Sequence, residues 1–191
     1  NMKRSVVSQI KAVDRNNDGL ADHLYFGDLG GQVWRVDINA SNKAGDTENF
    51  AKRAVRILDM SSAANVPRFY TTPTFTVHSS VNGYFGVVTI GSGNLSFPMS
   101  AANQNDALYV IYDKDVAKRN LSVLEDSELS TVDISPSGLN GKKLVANSDG
   151  NTEVPLTSGG WYYPLASKNR ILNDNVAIDS DLYISVFDST I

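Results

Sequence analysis

Short runs of β-branched and aromatic residues recur along the chain, separated by Gly, Asn, Asp, Ser and Pro. Apolar residues at helical spacing are almost absent, so the pattern predicts an all-β fold. Only two short stretches read as helix: Asp46 to Arg53, and Asp113 to Leu124 around Asp115-Val116-Ala117-Lys118-Arg119. The first unit predicts strands over Val6–Val13, His23–Gly27, Gln32–Ile38 and Arg53–Met60, with Asp28-Leu29-Gly30-Gly31 as a tight turn. In the third of these, alternation puts Val33, Arg35 and Asp37 on one side and Trp34 and Val36 on the other. Four such strands in sequence order make an antiparallel meander.

A second unit repeats the shape, with strands expected over Phe69–His78, Tyr84–Gly91 and Ala107–Tyr112. In both units an aromatic strand ends in aspartate: Trp34-Arg35-Val36-Asp37 and Val110-Ile111-Tyr112-Asp113. A polar insertion over 114–158 follows, then an aromatic strand over Trp161–Leu165, then Ile171–Ile178 and Leu182–Phe187, a truncated copy of a unit's opening. Repeated four-stranded antiparallel units are the blades of a β-propeller. At ~40–50 residues per blade, residues 1–191 are expected to supply about four blades of one domain, the last incomplete. A closed ring usually borrows a strand from one end to complete the other, so the expectation is part of a larger ring.

Composition narrows the function classes. A net charge of −4 and a pI near 5.1 give no basic footprint for nucleic acid. With no cysteine, disulfides and thiolate metal or redox sites are excluded. No apolar run reaches membrane-spanning length. The chain opens on Asn1-Met2-Lys3-Arg4-Ser5-Val6-Val7 without a signal peptide, as the middle of a longer protein would, so its start does not bear on export.

The candidate chemistry lies between the first two strands. In Asp14-Arg15-Asn16-Asn17-Asp18-Gly19-Leu20-Ala21-Asp22, oxygen-bearing side chains alternate at Asp14, Asn16 and Asp18. Gly19 allows a sharp turn, the Leu20 carbonyl can point inward, and Asp22 closes the shell. Ca²⁺ takes six to eight oxygens in irregular geometry, which suits this set. The loop begins like an EF-hand, but its twelfth position is Tyr25 instead of Glu, and strand follows. The other reading is an Asn/Asp/Gly turn without an ion. Against it, three carboxylates in nine residues repel, each close pair costing on the order of a few kcal/mol at an effective dielectric of about 20. Lys11 and Arg15 offset part of that.

This loop, followed by Leu24-Tyr25-Phe26-Gly27-Asp28-Leu29-Gly30-Gly31-Gln32-Val33-Trp34-Arg35-Val36-Asp37, resembles the C-terminal propeller of the PilY/PilC family of type IV pilus tip-associated proteins. The likeness continues through Arg68-Phe69-Tyr70-Thr71-Thr72-Pro73, Ile90-Gly91-Ser92-Gly93-Asn94, Ala107-Leu108-Tyr109, Gly160-Trp161-Tyr162 and Arg170-Ile171-Leu172-Asn173-Asp174, and is weakest over the insertion. It implies a modified propeller with calcium held by Asp14, Asn16, Asp18, the Leu20 carbonyl and Asp22. It also implies roles in pilus biogenesis, extension against retraction, twitching motility and adhesion. The implied partners are minor pilins, host or abiotic surfaces and the remaining blades, and the implied location is the bacterial surface at the pilus tip or outer membrane. The family's Arg-Gly-Asp motif is missing, since Phe26 precedes Gly27-Asp28, so integrin binding does not transfer.

Competing readings are an integrin-like or lectin-like adhesive propeller, and a quinone-dependent dehydrogenase. The enzyme reading lacks the adjacent cysteines often found in such sites, and the acidic loop is a linear turn. His23 and His78 read as surface or strand-edge residues, and no Gly-x-Ser-x-Gly elbow is present. Trp34, Trp161, Tyr162 and Tyr163 are expected to pack between blades and not to hold sugar. Asn94-Leu95-Ser96 and Asn120-Leu121-Ser122 match a glycosylation pattern short enough to arise by chance, and Asn147–Asn151 reads as a turn.

Overall fold

The computed structural model describes residues 2–38, 51–80, 83–100, 106–116, 159–178 and 181–190. All regular structure among them is strand. Sheet one is β1 (Lys11–Val13), β2 (His23–Gly27), β3 (Gln32–Ile38) and β4 (Ala51–Asp59), hydrogen-bonded in that order and antiparallel throughout. Sheet two repeats the topology with β5 (Thr74–Ser80), β6 (Gly83–Gly91), β7 (Ala107–Asp113) and β8 (Gly160–Pro164). Two short pairs follow: β9 (Asn169–Arg170) with β12 (Phe187–Asp188), and β10 (Val176–Ile178) with β11 (Asp181–Tyr183). Among the described residues the sheets do not close into a ring.

Several boundaries differ from expectation. The first strand is only Lys11–Val13, because Val6, Val7 and Ile10 are exposed and have no core face to join. The expected strand from Phe69 starts at Thr74, just after Pro73, which has no N–H to give a ladder. The stretch from Ile171 to Ile178 is strand only at its end, and the expected strand Leu182–Phe187 breaks into β11 and β12. The helix expected over Asp46–Arg53 is strand from Ala51 onward, where Val55, Ile57 and Leu58 are buried against neighbours. In the other helical candidate, Asp113 ends β7. Its residues 117–124 lie outside the described residues, as do 46–50, most of the 114–158 insertion, Asn120 and the Asn147–Asn151 cluster.

One apolar core joins the two sheets. Tyr25, Val33 and Leu58 from the first meet Val88, Ile90, Tyr109 and Ile111 from the second, with Phe69 between them. Tyr25 stacks on Phe75 at 5.3 Å, and Phe69 meets Tyr109 edge-on at 5.5 Å. Gly27 packs tightly against the second unit, where a Cβ would lie 2.5 Å from Phe69 Cβ and 2.8 Å from Ile90 Cδ1. The opposite face of sheet two buries Val87, Leu108, Val110, Tyr112, Trp161 and Ile171, with Leu182 and Ile184 packed against them. Of the four aromatic residues expected to pack between blades, Trp34 and Trp161 are buried and Tyr162 stacks on Tyr109, whereas Tyr163 is exposed and departs from that expectation.

Candidate metal centre and its buried anchor

The acidic loop joins β1 to β2 of sheet one. Its base is pinned where Asp22 N–H donates to the Val13 carbonyl at 2.8 Å. Within the loop, backbone amides point at the acidic side chains. Asp14 Oδ1 accepts from the Asn17 amide at 2.6 Å, and Asp14 Oδ2 accepts from the Gly19 amide at 2.8 Å. Asn16 Oδ1 accepts from the Asp18 amide at 3.0 Å, and Asp18 Oδ1 accepts from the Leu20 amide at 2.9 Å. The bend needs left-handed backbone at Asn17 (φ 60°) and Gly19 (φ 87°), residue types that tolerate it.

The sequence-predicted residues share this turn but differ in setting. Asp14, Asn16, Asp18 and Leu20 are exposed, whereas Asp22 is buried and its Oδ2 accepts from the Arg15 amide at 2.6 Å. Asn16 Nδ2 donates to Asp18 Oδ2 at 3.1 Å, so the amide nitrogen faces the carboxylate. Among the described residues no three His, Asp or Glu side chains converge into a metal-binding cluster. The donor types, three carboxylates with an amide and a carbonyl oxygen, are those a hard cation takes. Each carboxylate oxygen also keeps lone-pair capacity beyond the amide it accepts.

The loop's exit runs directly into a buried ionic network. The Asp22 carbonyl accepts from the Ile38 amide at 2.8 Å, and His23 Nδ1 lies 2.9 Å from Asp37 Oδ1. His23 is fully buried, which corrects its reading as a surface residue, while His78 sits half-buried on edge strand β5. Arg35, also fully buried, grips Asp37 side-on through Nε at 2.8 Å and Nη2 at 3.3 Å. Its Nη1 reaches across to sheet two and donates to both oxygens of Asp113, at 2.7 and 2.8 Å. Tyr25 Oη donates to Asp113 Oδ2 at 3.0 Å, and Arg53 Nε donates to Asp37 Oδ2 at 3.0 Å.

Charge placement explains the titration of this cluster. Burial raises the Asp37 carboxyl, but the His23 hydrogen bond, the Arg35 charge and the Arg53 hydrogen bond outweigh it and hold the group down at about 2. Burial lowers Arg35, yet the Asp113 and Asp37 carboxylates outweigh that and fix its charge more firmly than in water. Burial, with Asp113 next, pushes the Tyr25 hydroxyl well above its ordinary range. The strand alternation had put Arg35 and Asp37 on one side without marking that side as buried. The matching signal was the aspartate ending an aromatic strand in both units.

No protein-family model matches the chain. Over 106 residues, covering 46% of the chain, it is 34% identical to the type IV pilus biogenesis factor PilY1 of Pseudomonas aeruginosa strain UCBPP-PA14, of which it covers 9%. It also resembles the crystal structure of the Pseudomonas aeruginosa PilY1 C-terminal domain, with a TM-score of 0.63 and 20% identity, over 94% of this chain and 44% of that one. The likeness shows the fold, a β-propeller built of four-stranded antiparallel blades. The chain thus spans under half of the solved domain and less than a tenth of the curated relative.

Proposed function

The chain belongs to a PilY1-type family, and from that premise we propose that it is the calcium-binding propeller module of a type IV pilus-associated protein. The reading makes it a binding and assembly module at the bacterial surface, acting in pilus biogenesis and in the balance of extension and retraction, with pilus components as partners. The observation that carries it is the 34% identity with a pilus biogenesis factor, combined with the blade architecture.

In this reading Ca²⁺ is held by Asp14, Asn16, Asp18, the Leu20 carbonyl and Asp22, and it acts as a staple or a regulator, not as a catalyst. The donor chemistry and the left-handed bend at Asn17 and Gly19 support it. An ion there would offset the repulsion among the carboxylates. It would also stiffen the junction where Asp22 and His23 meet β3 through Ile38 and Asp37. Extracellular modules commonly bind calcium at about 10⁻⁴–10⁻³ M, and affinity decides between a permanent staple and a switch. The test is Asp18→Ala in the parent gene, reading surface pili by shearing and motility by twitching zones at matched protein level. Altered piliation or motility supports the reading; wild-type values for both refute it.

A further inference from the structure

A cavity of about 860 Å³ lies away from the acidic loop, and its walls carry the opposite charge. Lys3, Arg4, Arg56, Arg68 and Arg170 line it, with Asp106 as the one acidic side chain. A chain of net charge −4, with 17 Lys and Arg in all, thus gathers five cations around one hollow. Arg56 is partly neutralised by Asp59 at 2.9 Å.

The cavity is built by several segments. The Leu29 amide donates to the Ser5 carbonyl at 3.0 Å, which lays residues 2–5 across the β2–β3 turn. Arg4 packs its Cβ and Cγ over Gly30, where any side chain would collide with them. Lys3 and Arg4 are thereby held at the rim with their charged heads exposed. Arg170 is fully buried in the wall, anchored by the Ser100 and Lys168 carbonyls and by Ser189 Oγ. Its Nε finds no acceptor among the described residues. Asp106, also buried, supplies part of the counter-charge to Arg170 and Arg68, and its Oδ2 likewise has no hydrogen-bond partner among the described residues.

We propose that this cavity is a binding site for a multivalent oxyanion, a ligand with two or more clustered phosphate or carboxylate groups. Four of the five cations are arginines, whose planar fork pairs with such groups through two hydrogen bonds at once. The hollow is larger than a single phosphate needs, which favours a ligand with several charged groups. That chemistry is offered either by a free polyphosphate or by an acidic peptide segment of a partner.

Calorimetric titration of the full chain with tripolyphosphate and, separately, with an Asp/Glu-rich peptide tests this. Calcium-free buffer is required, because both probes chelate the ion. At least one probe is expected to bind, more weakly as salt rises, since screening acts over about 8 Å at physiological ionic strength. Arg4→Gln/Arg68→Gln is expected to lose about tenfold or more in affinity, as two charge-assisted contacts would. Glutamine keeps the Cβ and Cγ that cover Gly30, and both arginines are exposed, so the variant should melt with the wild type. Arg170→Met, with an unchanged far-UV spectrum, should lose affinity as well. The tighter probe identifies the source of the ligand. Failure of both probes to bind, or equal binding by wild type and the folded variants, overturns the proposal.

Discussion

Asp113→Ala removes one end of the bridge between the two sheets. Arg35 Nη1 then loses both contacts, at 2.7 and 2.8 Å, and Tyr25 Oη loses its acceptor at 3.0 Å. The guanidinium stays fully buried, balanced by Asp37 and, at 4.0 Å from Nη1, by Asp115 Oδ2. Removing one partner of a buried pair strands a charge and costs about 3–5 kcal/mol, a large share of a typical domain stability of about 5–15 kcal/mol. For a chain of this size each kcal/mol moves Tm by about 2–4 °C, so the expected fall is roughly 6–20 °C. Urea unfolding followed by tryptophan fluorescence measures the free energy, and calorimetry the Tm. Arg56→Gln at the partly exposed Arg56–Asp59 pair is the control and is expected to cost ~0–1 kcal/mol. Arg35→Met combined with Asp113→Ala should cost clearly less than the two singles added together, since the second change removes a charge that the first has stranded. A loss below about 1 kcal/mol for Asp113→Ala, or simple additivity, would show that the bridge does not hold the sheets together.

Other consequences follow from the same geometry. With the Asp37 carboxyl held at about 2 against an ordinary 3.8, its stabilisation is present above pH 3.8 and is lost as pH falls through about 2. The term is on the order of 2 kcal/mol, and Asp37→Asn should flatten that stretch of an acid-unfolding curve while lowering stability at neutral pH. Gly27→Ala should cost about 1–3 kcal/mol in urea unfolding, because its Cβ would collide with Phe69 and Ile90; an unchanged midpoint would contradict that packing. Saturating Ca²⁺ is expected to raise the wild-type Tm and to leave that of Asp18→Ala unmoved, and an equal rise in both would remove the loop from the account.

Sheet order was legible because pattern and turn chemistry agreed. Trp34–Ile38 alternates apolar and charged residues in sequence, and Asp28-Leu29-Gly30-Gly31 turns where its residues predict: Asp28 Oδ1 accepts from the Gly30 and Gln32 amides, and Asp28 Oδ2 accepts from Trp34 Nε1. The nine-residue loop also falls between its two strands as expected. Strand ends were less legible wherever tertiary burial overrode composition. Val6, Val7 and Ile10 look strand-like but have nothing to pack on, whereas Ala51 to Arg53 look helical but continue the ladder between β3 and β4. The ionic network was hidden for the same reason. Arg35, Asp37 and His23 carry polar side chains, and no local pattern distinguishes a polar residue facing water from one facing a second sheet. That distinction required Asp113, 78 residues further along the chain, to arrive opposite Arg35.

Calorimetric titration of the chain with CaCl₂, alongside Asp18→Ala, tests the central claim most directly. One ion per chain is expected to bind the wild type with measurable heat, and the signal should vanish in the variant. Identical isotherms for the two proteins, or no heat from the wild type at millimolar Ca²⁺, would contradict the assignment of the loop.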